Sequence, residues 1–188
     1  MQNASDAIRW SNGSLGLKLS YLHRNILNQT DKCSSRERVV FLGKNPDYKL
    51  PLVSALEKAA SQTNFKSLVI ANDTHKVSAQ FSKLISDCPP WLNRRSGIGR
   101  WEFGPKGSSG NVTLSSLYHT DFLSDKYDSV HIVGFETDPE TFKKLAGKLQ
   151  PISGQITWYP FRIYPRDHPF ITDVVIPAIH NKALFLAR

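Results

Sequence analysis

Four polar residues that could bind a ligand lie together in one predicted turn: Asn72, Asp73, Thr74 and His75. They follow the apolar run 67–71 and precede a helical pattern, which places them in a strand–turn–helix unit. Open α/β proteins bind ligands at the carboxyl ends of such strands, and a helix N-terminus there attracts phosphate. The same residue types are also the preferred helix N-caps, so capping is the simpler explanation of this cluster.

The turn after the preceding predicted strand, 39–42, is a second candidate site. It begins Gly43-Lys44-Asn45, where a lysine and an amide could contact a phosphate and a base edge. The alternative is an ordinary solvated turn. Neither GxxxxGK[ST] nor a GxGxxG that opens a helix occurs in the sequence, so we expect neither a P-loop nor a dinucleotide fold, and no cofactor.

A third candidate is the segment 89–110, which is rich in Pro, Gly, Ser and Arg. We expect it to be an exposed, mobile loop. Its basic residues, interleaved with aromatic ones, are Arg94, Arg95, Arg100 and Lys106. Basic side chains contact phosphates and aromatic rings stack on unpaired bases, so this loop is a candidate RNA-binding surface. The alternative is a surface loop whose aromatic residues anchor it to the body of the protein.

The overall charge favours a polyanionic partner. The net charge is +8, and each phosphate that a basic residue neutralises releases condensed counterions. The two cysteines are far apart and lack zinc spacing, which argues against a disulfide scaffold and fits a reducing compartment. No apolar run reaches the ~20 residues of a membrane-spanning helix, and no secretory signal is found. We therefore expect a nuclear or cytoplasmic protein with no membrane partner.

No catalytic signature supports an enzyme. The histidines form no HExxH pair, and no GxSxG elbow is found. Asp121, Asp125 and Asp128 lie in a polar connection where solvation explains them, so no metal site is predicted. Glu136 is most simply the approach to a helix cap. An active site assembled in space rather than in sequence stays open.

The elements that position these residues alternate between helix and strand, without an internal repeat. This pattern predicts one α/β domain over 1–188, a three-layer α/β/α sandwich with a mostly parallel or mixed central sheet. We expect a short helix at 114–123 and a C-terminal helix at 178–186. The aromatic run 155–164 is predicted as an edge or bent strand, because Pro160 lies within it.

Several segments resemble the kink-turn RNA-binding superfamily of ribosomal and snoRNP proteins. The matching segments are GKN at 43–45, VSALEKA at 53–59, LVIANDT at 68–74, WEFGPKGS at 101–108 and SVHIVGF at 129–135. Within that superfamily the chain is most similar to the divergent fungal RNase P and RNase MRP protein subunit. The resemblance implies an αβα core that binds structured RNA in tRNA processing.

The resemblance has two departures. The family's G-x-N-E motif reads the sheared G·A pairs of the kink-turn, and only Gly43, Lys44 and Asn45 carry over, because the glutamate is missing. Residues 46–51 form an insertion before the helix. Kink-turn specificity is therefore not implied by this sequence even where RNA binding is.

Together these features predict a non-catalytic RNA-binding subunit of a ribonucleoprotein. Lys44 and Asn45 would approach the backbone and a base, and the basic residues of 89–110 would contact phosphates. Other protein subunits are expected as partners. A first alternative is a Rossmann-like enzyme acting on a nucleotide or nucleic acid, with a site at Asn72, Asp73, His75 and Glu136. A second is an assembly subunit that docks on a protein through the aromatic strip 158–164.

Overall fold

The computed structural model describes residues 13, 19–31, 38–43, 48–86, 93–97, 99–103, 110–116, 125–151 and 154–186. The helices are α1 (Tyr21–Asp31), α2 (Lys49–Ser61), α3 (Thr74–Ile85), α4 (Pro139–Ala146), a π-helix (Ile171–Val175) and α5 (Ile176–His180). The strands are β1 (Val39–Leu42), β2 (Lys66–Ala71), β3 (Asn93–Gly97), β4 (Arg100–Phe103), β5 (Gly110–Ser115), β6 (Ser129–Val133), β7 (Gln155–Tyr159) and β8 (Leu184–Leu186).

All eight strands join one sheet, in the order β3-β4-β5-β2-β6-β7-β1-β8. The run from β5 to β8 is parallel throughout, and β4 and β3 add an antiparallel edge. Helices connect the parallel strands and cover the sheet, as parallel pairing requires. The predicted three-layer α/β/α sandwich with a mostly parallel sheet is confirmed.

Each face of the sheet carries its own hydrophobic core. Alternate side chains of a strand point to opposite faces, so Val69 of β2 joins the core beneath α2 and α3, and Leu68 joins the core with α4 and the π-helix. The short apolar runs of β1, β2 and β6 are buried because both faces of the sheet are covered. Strand positions are therefore fixed tightly at the ends where polar loops begin.

Helix α2 is the central helix of its layer. Nine of its thirteen residues are buried, including Leu50, Leu56 and the polar Glu57. It lies so close to β5 that a Cβ added to Gly110 would come within 2.1 Å of the Ala59 carbonyl oxygen. The start of α2, at Lys49, is therefore held firmly against the sheet.

Four segments differ from the sequence predictions. Strand β5 extends to Ser115, so the helix predicted over 114–123 does not begin at Leu114; residues 117–123 of that prediction lie outside the described residues. Strand β7 lies inside the sheet rather than at its edge, because Pro160 follows its last residue instead of interrupting it. The tail forms α5 and the short strand β8, not one helix over 178–186. Within 89–110, which was predicted as a mobile loop, residues 93–97 form β3 and residues 100–103 form β4.

In the described ranges, no helix is both long enough and apolar enough to cross a membrane.

Candidate functional site

The carboxyl ends of four neighbouring parallel strands form the edge at which a ligand would bind. These strands are β2, β6, β7 and β1, side by side in that order. The residues that follow them are Asn72, Gly134, Pro160 and Gly43. In open α/β sheets this edge is the usual ligand site, because helix N-termini and loops converge on it.

The turn from β1 to α2 keeps the glycine-to-lysine spacing of a P-loop without the full GxxxxGK[ST] motif. Gly43 follows the strand directly, and Lys49 is the first residue of α2 six positions later. A P-loop, GxxxxGK[ST], has the same strand–turn–helix context and the same spacing from first glycine to lysine. Here Tyr48 replaces the second glycine and Leu50 replaces the Ser or Thr.

Tyr48 is ordered by packing rather than by capping. It has helical φ and ψ angles of −78° and −9°, and its side chain donates no cap to α2. Its buried ring meets the Phe161 ring edge-on, with centroids 4.7 Å apart. The Nζ atom of Lys76, from the first turn of α3, lies 5.6 Å from the centre of the Tyr48 ring.

Phe161 extends this aromatic contact to the next strand. Gly134, directly after β6, has a φ of +82°, and an added Cβ would come within 2.8 Å of the Phe161 ring. The rings of Tyr48 and Phe161 therefore link the turn after β1 to Gly134 at the end of β6. We call this pair of contacts the aromatic bridge. This bridge is apolar where the metal ion of a P-loop nucleotide site would need oxygen ligands.

Glu136, the first carboxylate after β6, is engaged by its neighbours. Arg162 donates to it at 3.0 Å, and the Tyr164 hydroxyl donates to its other oxygen. The Arg162 guanidinium also lies over the Tyr164 ring, 4.7 Å from its centre. Burial alone raises the pKa of Glu136, but the Tyr164 hydrogen bond and the Arg162 charge outweigh it and leave the pKa below its ordinary value.

A second polar cluster is buried inside the layer beneath α2. The ring of His131, in β6, lies 3.2 Å from the Tyr159 hydroxyl and 3.1 Å from the Ser129 hydroxyl, which meets Ser67 at 2.8 Å. Burial lowers the pKa of His131 to about 3, and the charge of Lys58 adds to the effect. His131 is therefore a neutral core residue, as its place in an apolar strand indicated.

The polar turn after β2 acts as a helix cap. Asp73 accepts a hydrogen bond from the Lys76 backbone N–H at 2.9 Å, and Asn72 and His75 are exposed. The helix start at α4 is capped by Asp138 in the same way. Capping, the simpler of the two sequence explanations, is what the structure shows at Asp73.

The six residues predicted to bind RNA are not assembled into one described site. Lys44, Asn45 and Lys106 lie outside the described residues. Arg94 and Arg95 lie on β3, and the exposed Arg100 lies on β4, in an antiparallel ribbon at the sheet edge. Four strands separate β4 from β1 in the sheet, so the ribbon and the β1–α2 turn are roughly 24 Å apart at about 4.8 Å per strand.

Solved structures that are similar to this chain include the large terminases of two phages. The large terminase of the thermophilic bacteriophage D6E, solved with ADP, superposes with a TM-score of 0.65 at 11% identity, over 90% of this chain and 45% of that one. Its ATP-γ-S complex gives 0.61 at 9%, over 90% and 44%. The large terminase ATPase domain of Thermus phage P74-26 gives 0.52 at 15%, over 85% and 71%.

The chain shares the fold of a large terminase ATPase domain. It spans less than half the length of the D6E terminase that it matches. No protein-family model matches the sequence, and no curated protein does. At these identities the likeness shows the fold and no more.

This fold overturns the predicted kink-turn resemblance. The segments that carried it, such as ALE and LVIA, are common to many buried helices and strands of α/β proteins. The structure instead places ALE on helix α2 and LVIA on β2 of a terminase-like sheet. The predicted RNA-binding ribonucleoprotein subunit and its role in tRNA processing are therefore wrong, and the alternative of a protein acting on a nucleotide or nucleic acid fits better.

Part of the surface on which the assembly alternative depends is buried. Trp158 and Tyr159 of the aromatic strip 158–164 are buried in the sheet, and the Trp158 indole donates to the Phe135 carbonyl at 2.7 Å. They are not available to dock on another protein.

Proposed function

We propose that this chain is a nucleotide-binding module of the P-loop type. The β1–α2 turn would receive the phosphates of a nucleoside di- or triphosphate. Lys49 would contact them from the first turn of α2. This proposal replaces the expectation that the chain takes no nucleotide.

One observation carries the proposal: Gly43 and Lys49 have the P-loop spacing and lie at the two ends of the turn in a strand–turn–helix unit. That unit sits at the carboxyl edge of a terminase-like sheet. Helix α2 begins there without a side-chain cap, in contrast to α3 and α4. A helix N-terminus and a lysine together favour phosphate, and the solved neighbours include complexes with ADP and ATP-γ-S.

The test is a titration of the purified chain with fluorescent ADP. Lys49→Met removes the charge at the start of α2 and is expected to weaken binding roughly tenfold or more, the effect of losing a charge-assisted hydrogen bond. The matched control is Lys144→Met, because Lys144 is exposed on α4 and this helix covers the other face of the sheet. Equal affinity of both variants and the parent would refute the role of this turn.

A second proposal concerns nucleic acid as the polymeric partner, which the +8 charge favours. In the register of the β3–β4 ribbon, Arg94 pairs with Glu102 and Arg95 pairs with Trp101, and Arg100 is exposed on the same ribbon. A two-stranded ribbon that carries arginines at a sheet edge is a suitable shape for contact with a phosphate backbone.

Duplex DNA and structured RNA would be compared as probes at several salt concentrations. Binding that falls steeply with salt, and falls less steeply in an Arg94→Ala/Arg95→Ala variant, is expected for phosphate contacts. A Lys143→Ala/Lys144→Ala variant on α4 is the control for lost charge alone. A salt slope near zero for both probes would remove the nucleic-acid proposal.

A further inference from the structure

The nucleotide site that we propose has lost the ligands that P-loop enzymes use for magnesium. In those enzymes Mg²⁺ is held by the Ser or Thr after the P-loop lysine and by an Asp at the end of a second strand. Leu50 follows Lys49 here and is fully buried, with 0% exposure. Strand β6, two strands away from β1, ends in Val133-Gly134 and supplies no carboxylate at that point.

The space between these two positions is also occupied. Phe161 lies over β7, the strand between β1 and β6, and contacts Tyr48 on one side and Gly134 on the other. Rings cannot ligate a hard cation, which takes oxygen ligands. In the described ranges, no group of three or more His, Cys, Asp or Glu residues could hold a metal ion. The residues that the structure describes at this edge of the sheet therefore do not fit magnesium.

The nearest carboxylate is not set up as a general base. Glu136 is held by Arg162 and Tyr164, and its pKa lies below the ordinary value. A base that activates water works best with a pKa near the working pH. Glu136 would have to give up both partners before it could accept a proton from water.

The side chain of Lys76 supplies a positive charge close to the start of α2. Lys76 projects from the first turn of α3 and places its Nζ atom over the Tyr48 ring, directly beside the start of α2. With Lys49 it would give the turn two ammonium groups from two helices. Two side-chain cations can offset the charge of a diphosphate without a metal ion.

We propose that the β1–α2 site binds nucleotide without magnesium, through Lys49 and Lys76, and does not hydrolyse it. This inference rests on the proposed function, because it requires that the turn binds nucleotide at all. The chain would then be a module that senses or stores a nucleotide instead of consuming it.

The experiment measures the affinity of the whole chain for fluorescent ADP in EDTA and in excess MgCl₂, together with phosphate release from ATP. We expect equal affinity in the two buffers and no phosphate release above a blank. Lys76→Ala should weaken binding in EDTA roughly tenfold, as for the loss of one charged hydrogen bond. Lys83→Ala, in the last turn of the same helix, is the matched control and should change nothing.

The outcomes separate the two proposals. A roughly tenfold or larger gain in affinity on adding MgCl₂ overturns the metal-free site and leaves nucleotide binding intact. Phosphate release that Lys49→Met abolishes does the same. Absence of ADP binding in both buffers refutes the proposed function itself. Equal effects of Lys76→Ala and Lys83→Ala, with unchanged melting temperatures, overturn the role of Lys76 alone.

Discussion

The aromatic bridge predicts a large and coupled effect of substitutions at Gly134 and Phe161. Gly134→Ala places a methyl group on a residue with a φ of +82°, which costs about 1–2 kcal/mol in the left-handed region. The new Cβ would also lie 2.8 Å from one ring atom of Phe161 and 3.0 Å from the next. Overpacking of this kind costs about 1–3 kcal/mol. The total loss of unfolding free energy should be about 2–5 kcal/mol.

A double-mutant cycle isolates the contact with Phe161. In a Phe161→Ala background the ring is absent, so Gly134→Ala should lose only the backbone contribution of about 1–2 kcal/mol. The coupling energy is then about 1–3 kcal/mol. Urea unfolding can be followed by tryptophan fluorescence, since Trp101 and Trp158 are buried and change environment on unfolding.

Gly147→Ala is the matched control for this cycle. Gly147 lies at the end of α4 with a φ of −64°, where any residue is comfortable, and should show no coupling with Phe161→Ala. Additive effects of Gly134→Ala and Phe161→Ala, or a neutral Gly134→Ala, would show that Phe161 does not pack against β6 and would remove the bridge.

Three further predictions concern single polar residues. His131 is neutral in the core with a pKa of about 3 against 6.5 when unfolded, so the unfolded chain binds the extra proton between these values. The contribution of neutral His131 to the free energy of unfolding is fully present above pH 6.5 and is lost as the pH falls towards 3, by up to about 1.4 kcal/mol per pH unit. His131→Gln should reduce this dependence of stability on pH in acid unfolding curves. An unchanged dependence would contradict the assignment. The buried Thr137 hydroxyl has no hydrogen-bond partner in the described ranges, so Thr137→Val should raise the free energy of unfolding by about 1 kcal/mol. A lower melting temperature of the variant in calorimetry would mean that the hydroxyl has a partner. Asp73→Ala removes the cap of α3 and should cost about 1 kcal/mol in urea unfolding, whereas Asn72→Ala beside it should cost nothing measurable.

Local signals predicted the central elements of the fold. Most residues of β1, β2 and β6 are apolar, which predicts buried strands, and Asp73 precedes a clear helical pattern. Sheet order could not be read in this way, because it depends on which buried strands lie side by side. The position of Pro160 was misleading: one residue beyond β7, it permits a central strand that the same proline inside the strand would forbid.

The candidate site could not be recognised from the sequence motif because two positions of the motif carry other residues. Gly43 and Lys49 keep the P-loop spacing, but Tyr48 and Leu50 remove the two letters on which the motif search depends. The sequence prediction treated 46–51 as an insertion before the helix, which left Lys49 outside the helix that it begins in the structure. The contact between Tyr48 and Phe161 could not have been predicted, because it joins residues 113 positions apart (161 − 48).

The sheet order also governs when the chain can fold. Strand β1 lies near the start of the sequence, yet both of its neighbours, β7 and β8, come from the last third; Val39 pairs with Ile156, 117 residues later (156 − 39). Pairings of such long range form slowly. During synthesis β1 must wait, apolar and unpaired on both sides, until β7 has left the ribosome, and it lacks its second neighbour until β8 follows. Chains truncated before β7 should therefore aggregate rather than fold as a smaller domain.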